Sequence, residues 1–435
     1  LKKVLFITYY FPPSGGSGVQ RVVKFVKYLP QFGWKPLVYT VEKGEYPILD
    51  ESLLKDLPQN TEILRYKIWE PYSLYKKFTG QSAGTKISPG FLAEEKKLKP
   101  AHRISRWIRG NLFIPDARKY WIKPSVSFLK RYLHINHVDA IISSGPPHSV
   151  HLIALSLKKL FNIPWIADFR DPWTDVYYFK QLHLSKYAEK KHSELEYMVL
   201  NKADCLIAVG NTMKNDFEQK TDIPVEVITN GFDEDDIKDA PVNLDEKFSI
   251  VYTGYLLPDE NPEILWQVLS ESVNNFKGFA QDLELKFAGK TDVKVIDRIN
   301  HYGLDKYLTL IPYQPHNIIT SYQQKAQVLL LLLNDTPEFK RVLTGKLFEY
   351  LAARRPIISI GSASGDAAEV IRETGTGYIF SGTDKEKLRE KLMDFYNNYK
   401  HKNLTVSGTN LEKYSRRFLT QKLAEILNNL LYVKK

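Results

Sequence analysis

Short runs of apolar residues alternate along the chain with longer stretches in which apolar positions recur every three or four residues. Val4 to Tyr9, Leu37 to Val41, Glu62 to Tyr66, Ala140 to Ser143, Trp165 to Ala167, Cys205 to Val209 and Val225 to Thr229 read as strands. Helix-like segments lie between several of them, notably Val19 to Gln31 and Ser149 to Phe161. Alternation of this kind predicts a mostly parallel sheet with helices on both faces. Around Asp235 to Lys247 the chain turns polar, and the pattern then restarts at Ser249 to Thr253, Leu283 to Ala288, Leu308 to Ile311, Val328 to Leu333 and Ile357 to Ile360. The restart predicts a second α/β domain after a linker, with domains over residues 1–236 and 247–414. Trp69 to Gly110 breaks the rhythm and reads as an insertion or lid, and a helix-like segment, Thr420 to Tyr432, closes the chain.

Composition narrows the class. A chain of 435 residues with 43% hydrophobic and 26% charged residues fits a soluble protein of two or three domains. The longest apolar run, Ala326 to Leu333, is interrupted by Gln327 and is too short to span a bilayer. The chain moves directly into a strand, which reads as the absence of a signal peptide. The single cysteine, Cys205, sits in an apolar run as a small hydrophobe, and no disulfide framework or metal-ligand cluster is visible. Together these features predict a cytoplasmic protein.

The net charge of +11 is concentrated. Between Phe91 and Arg131 stand eleven Lys and Arg against three acids, Glu94, Glu95 and Asp116. Ile104, Trp107 and Ile108 fall at i, i+3 and i+4 with Arg103, Arg106 and Arg109 beside them. Two readings stand: a helix lying on an anionic membrane surface, at the inner face of the membrane, or a helix packing Trp107 and Ile108 inward with its arginines in water. Nucleic acid is a poor partner, because arginines and aromatics form neither a recognition helix nor a stacking platform.

The densest chemistry lies from Leu343 to Phe380. Thr344 and Gly345 open an amphipathic helix, Lys346 sits in its first turn and Glu349 follows one turn later. Amide donors, a helix dipole and a cation suit a phosphate, and a carboxylate beyond them suits the two hydroxyls of a ribose. An ordinary helix with Lys346 and Glu349 as a solvated i,i+3 pair is the competing reading. Thr253-Gly254-Tyr255 and Ala288-Gly289-Lys290 each end a strand with a glycine, where the chain can turn beside a nucleotide.

In the first half, Gly15 and Gly16 lie in a strand-to-helix turn where backbone amides can approach a phosphate, although Arg21 stands where a dinucleotide fingerprint needs its third glycine. His148 follows a strand at the carboxyl edge of the predicted sheet, where such sheets bind ligands, and is a candidate donor to an acceptor hydroxyl or a phosphate. His151 reads as a cap or core residue. Asp168 and Arg170 follow an apolar strand and are expected to face the same ligand, because an unpaired charge there needs a partner. Asp171 before Pro172 reads as a helix N-cap.

The Gly345–Glu349 stretch, Pro356, the strand Ile357 to Ile360 and Glu369 resemble the donor-binding element of glycosyltransferase family 4, and Phe169-Arg170-Asp171-Pro172-Trp173 is similar to a bacterial branch of it. The resemblance implies an α/β fold of two Rossmann-like domains facing a central cleft, the glycosyltransferase B-type fold, with a last helix over residues 415–435 returning to the first domain. It implies a retaining, metal-independent transferase without a cofactor. Such an enzyme moves a sugar from a nucleoside diphosphate sugar, a UDP-sugar foremost, to a saccharide or lipid-linked saccharide acceptor in bacterial surface glycan synthesis.

By the same resemblance Gly15, Gly16, Gly254, Gly289, Lys290, Tyr313, Arg341, Thr344, Gly345, Lys346 and Glu349 would hold the donor. From their own positions and charges, and not from the resemblance, Asp168, Arg170, His148 and Lys346 are the candidates for catalysis. The chain departs from the family where a histidine usually follows the fifth strand, having Asp168 and Arg170 there. It departs again where an arginine and a lysine follow the first glycine of the second domain, having Tyr255 and Asp259-Glu260, and where an earlier glutamate is replaced by Arg341. A nucleotide-sugar 2-epimerase on the same fold and a non-catalytic polyanion-binding protein are the alternatives.

Overall fold

The apolar runs all become strands of parallel sheets. The computed structural model describes residues 1–46, 49–70, 100–176, 179–236, 242–336, 339–406 and 408–433. It divides into two compact units, one of residues 1–229 with 416–435 and the other of residues 230–415. The division falls at the Asn230-Gly231 turn, not in the polar stretch that follows it.

In the first unit the strands β1 (Lys2–Thr8), β2 (Trp34–Val41), β3 (Glu62–Tyr66), β4 (Ala140–Gly145), β5 (Trp165–Phe169), β6 (Cys205–Ala208) and β7 (Val225–Val227) form one parallel sheet in the order β3-β2-β1-β4-β5-β6-β7. Successive side chains of a strand point to opposite faces, and β1 supplies both cores. Leu5 and Ile7 pack with Trp121 and Leu157 of the helices Lys119–Ile135 and Ser149–Phe161. Val4 and Phe6 pack on the other face with Val22 and Val26 of the helix Ser17–Tyr28 and with Leu419, Leu423 and Leu427 of the final helix, Arg416–Val433. The last helix therefore belongs to the first unit's core.

The second unit repeats the plan with β8 (Phe248–Leu256), β9 (Leu283–Thr291), β10 (Leu308–Ile311), β11 (Val328–Leu332), β12 (Ile357–Ile360) and β13 (Gly377–Phe380), ordered β10-β9-β8-β11-β12-β13 and all parallel. In each sheet the chain winds outward in one direction, returns to the middle and winds the other way. The reversals lie between β1 and β4 and between β8 and β11, and open α/β sheets bind ligands beyond the carboxyl ends of strands at such points.

Part of the predicted insertion, residues 71–99, lies outside the described residues, and with it Lys96, Lys97 and Lys99 of the basic stretch. The helix Pro100–Leu112 follows. Its exposure matches neither reading of that stretch fully: Ile104 and Trp107 are exposed, while Arg106 is buried. Arg118, counted with the surface charge, is also buried, and Glu70 offsets it at 3.1 Å.

Candidate active site

At the first unit's switch point the loop after β1 turns at Gly16, whose φ of 101° is one that glycine tolerates, and the helix Ser17–Tyr28 starts directly after it. Gly15 lies just before this turn. The glycine that meets another functional side chain is Gly18, in the helix's first turn, where a Cβ would overlap the Arg170 guanidinium. Arg170 emerges from β5, and its backbone N–H and its Nε both donate to the Gly145 carbonyl, at 2.9 and 3.2 Å. Its Nη2 donates to the Pro146 carbonyl. A part-exposed cation is thus fixed against the end of β4 and the first turn of the helix Ser17–Tyr28.

Asp168 does not offer a free charge, contrary to the expectation above. It is 1% exposed and takes a bidentate pair from Arg21, with Nη2 at 2.7 Å and Nε at 3.1–3.2 Å, and a further hydrogen bond from Ser144 Oγ at 2.7 Å. Burial pushes its pKa up, but the Arg21 guanidinium and the Ser144 hydroxyl outweigh burial and hold the carboxyl below its ordinary value. Arg21 donates in turn to the carbonyls of Ile228 and Thr229, at 2.9 and 2.8 Å, the last residues of the first unit before the chain leaves it. Sequence reasoning met Arg21 only as the residue that spoils a glycine fingerprint; nothing local marks it as the partner of Asp168.

His148 begins the helix after β4 and is buried against Trp173, the rings stacked at 4.5 Å. Burial holds its pKa well below the usual histidine value, so the ring is neutral, and its Nδ1 is buried without a hydrogen-bond partner. His151 is a core residue whose Nδ1 lies 2.8 Å from Ser143 Oγ. Asp171-Pro172 does not start a helix. Trp173 stacks on His148 and donates to His192 Nδ1 at 3.1 Å, and among the described residues the next regular element is a short turn at Phe179–Leu182.

At the second unit's switch point β8 and β9 end side by side, with Gly254 opposite Gly289 and Tyr255 opposite Lys290. Both glycines have positive φ, 114° and 130°, and a Cβ on Gly289 would overlap the Gly254 carbonyl. Gly254 also leaves room for Lys346, since a Cβ there would stand 3.4 Å from Nζ. The Lys290 ammonium lies over the Tyr255 ring.

The helix Gly345–Ala353 begins beside these glycines, the Gly254 contact with Lys346 linking them. Thr344 stands at its N-cap in extended geometry but makes no side-chain cap bond, and its Oγ1 is buried without a partner. Lys346 Nζ donates to Tyr252 Oη at 2.6 Å. Burial pulls the Lys346 pKa below the usual lysine value, with Glu260 and Glu349 acting the other way, and among the described residues no carboxylate lies within 4.0 Å of it. Burial conversely raises Glu260, against the pull of Lys346.

Glu349 is not a solvated partner of Lys346 either: its Oε2 accepts from Gln323 Nε2 at 2.8 Å, and its Oε1 lies 3.5 Å from His316 Nε2. Arg341 is half-buried, four residues ahead of Gly345, and Tyr313 is 84% exposed beyond β10. Among the described residues no group of three or more His, Cys, Asp or Glu has the arrangement of a metal site.

Two family models match this chain. "Glycosyltransferase Family 4" covers residues 87–236 and "Glycosyl transferases group 1" covers residues 233–410. No curated protein sequence matches. Among solved structures the chain resembles a sucrose-phosphate synthase from Thermosynechococcus elongatus, at 13% identity over 100% of both chains with a TM-score of 0.62. It also resembles a glycosyltransferase from Rickettsia africae, at 14% identity over 99% of both chains with a TM-score of 0.61. Anabaena Alr3699/HepE, solved with UDP-glucose, aligns at 13% identity over 99% of this chain and 100% of that one, with a TM-score of 0.59. Two parallel sheets of Rossmann type with these matches define the glycosyltransferase B-type fold. The chain belongs to the family 4-like glycosyltransferases, enzymes of glycosyl transfer.

Proposed function

We propose that this enzyme moves a sugar, with retention at the anomeric carbon and without a metal, from a nucleoside diphosphate sugar to a saccharide or lipid-linked saccharide of a bacterial surface glycan. A UDP-sugar is the favoured donor. The observation that carries the reading is the start of the Gly345–Ala353 helix. There a buried ammonium held by a tyrosine hydroxyl, Lys346, joins a buried, unpartnered Thr344 hydroxyl at a helix N-terminus, one turn before the carboxylate of Glu349. The first three favour a diphosphate and the last a ribose.

Breaking the donor's glycosidic bond puts positive charge on the sugar and negative charge on the departing diphosphate. Lys346 and the helix amides are preorganised toward that anion, and such preorganisation lowers a barrier more than any contact equal in ground and transition state. The acceptor belongs on the first unit, where Arg170 is fixed at the strand ends. Exposed aromatics of the same unit, Trp69, Trp107 and Tyr120, stand among basic residues and suit an anionic membrane carrying a lipid-linked acceptor.

The test is release of nucleoside diphosphate across a panel of nucleotide sugars, with saccharide acceptors added and the product's anomeric configuration read by NMR. Retained configuration and loss of donor affinity by about 1.5–3 kcal/mol in Glu349→Ala are expected, as for a charged hydrogen bond. Turnover of a donor alone, without glycoside, would favour an epimerase. No release from any donor would overturn the reading.

A further inference from the structure

Gln323 has no place in the donor-binding set predicted above, yet it occupies the centre of the second unit's polar network. It lies on the helix His316–Lys325 and is 1% exposed. Its single amide nitrogen spans two groups, donating to Thr253 Oγ1 at 3.1 Å and to Glu349 Oε2 at 2.8 Å. Thr253 immediately precedes Gly254 on β8, and its backbone N–H donates to Tyr350 Oη at 3.1 Å. The Thr253 hydroxyl lies 3.3 Å from the same Oη. Tyr350 is fully buried and adjoins Glu349 on the helix. One amide therefore ties the glutamate's carboxylate to the strand end that carries Gly254.

We infer that Gln323 is a positioning residue for the donor nucleotide: it occupies Oε2 of Glu349, fixes the plane of the group and leaves Oε1, which His316 Nε2 approaches only to 3.5 Å, turned to the ribose hydroxyls. The inference rests on the donor reading above. A carboxylate on a helix surface otherwise samples several rotamers, and ordering it at the moment of binding weakens affinity. A buried amide that has both hydrogens engaged removes that freedom beforehand. A glutamate in its place would set two carboxylates against each other, raising the pKa of one of them.

The experiment is calorimetric titration with UDP, GDP and ADP, and with the 2′,3′-dideoxy form of whichever binds tightest. Gln323→Met, similar in size but without the amide, is expected to weaken the preferred nucleotide about tenfold while the dideoxy form loses little. In a Glu349→Ala background the same substitution is expected to add nothing, since Gln323 acts through that carboxylate. Gln323→Glu, which keeps the side-chain length, is expected to make affinity fall more steeply with rising pH than in the wild type; His316 and Lys346, which face Glu349 in both proteins, set the profile they share.

Additive losses in the double variant, or equal losses for the ribose and dideoxy nucleotides, would overturn the positioning role and leave the donor reading standing. A Glu349→Ala variant that binds every nucleotide as well as the wild type would remove the donor reading, and this inference with it.

Discussion

At the residue scale the first unit separates charges that act from charges that hold. Arg21 and Asp168 bury a bidentate ion pair that satisfies two strand-end carbonyls, so deleting either partner leaves an uncompensated buried charge; such losses run to about 3–5 kcal/mol. Arg170 is anchored to the Gly145 and Pro146 carbonyls but part-exposed, and in the proposed reaction it is the cation that meets a ligand. The histidines carry a pH dependence. Burial lowers His151 from 6.5 to about 3, despite the nearby Asp168, and lowers His148 as well. A depressed folded-state pKa means that the unfolded chain binds more protons below 6.5, so stability is full above that pH and falls as pH drops toward the folded value. Each histidine contributes a slope of about 1.4 kcal/mol per pH unit. Urea unfolding between pH 6.5 and 5 lies above the range in which Asp168 titrates even in the unfolded chain, and should show this loss. His151→Gln should flatten the slope by about one proton; an unchanged slope would mean that His151 is not neutral in the fold.

At the element scale, strands were the easiest feature to read from sequence. A strand buried on both faces of a parallel sheet is a short apolar run, and Ile357–Ile360, buried throughout, has the bounds its residues suggested, as do the part-exposed edge strands Glu62–Tyr66 and Leu308–Ile311. The Gly345 helix start was legible for a similar reason, since cap, glycine and first-turn cation are neighbours in sequence. What could not be read depends on distant partners: Arg21 meets Asp168 across 147 positions, and Gln323 meets Thr253 across 70. The Asp171-Pro172 signal misled because a tertiary stack of Trp173 on His148 overrides a local capping preference. The paired ends of β8 and β9 yield a prediction. A methyl at Gly289 would collide with the Gly254 carbonyl at a φ that side chains disfavour, so the two strand ends must part. Gly289→Ala is expected to lower melting temperature and to weaken nucleotide binding at least tenfold, while Gly382→Ala, in open space, leaves both unchanged. Equal behaviour of the two variants would refute a tight strand-end junction.

At the scale of the whole molecule, two sheets of the same winding each reverse direction at a strand end, and the chain carries a net charge of +11. Among the described residues no helix is long and apolar enough to cross a membrane. The first unit nonetheless exposes Trp69, Ile104, Trp107, Leu112 and Tyr120, with Trp69 and Tyr120 in edge contact at 5.1 Å and Lys119 over the Tyr120 ring. Aromatic and aliphatic side chains beside lysine suit the boundary between lipid headgroups and acyl chains, where the apolar part inserts and the ammonium meets anionic phosphate. Arg106 and Arg118 are buried and contribute little to that attraction, so it should rest on exposed cations and on insertion together. The full chain is expected to sediment with vesicles of anionic phospholipid and not with zwitterionic ones, and to release as salt rises, because the charge component is screened over a Debye length. Trp107→Ser with Leu112→Ser should weaken sedimentation at high salt more than at low salt, since only the apolar component remains there. Undiminished binding of this double variant would exclude these side chains as the inserting group, and absence of vesicle binding by the wild type would leave a soluble saccharide as the acceptor.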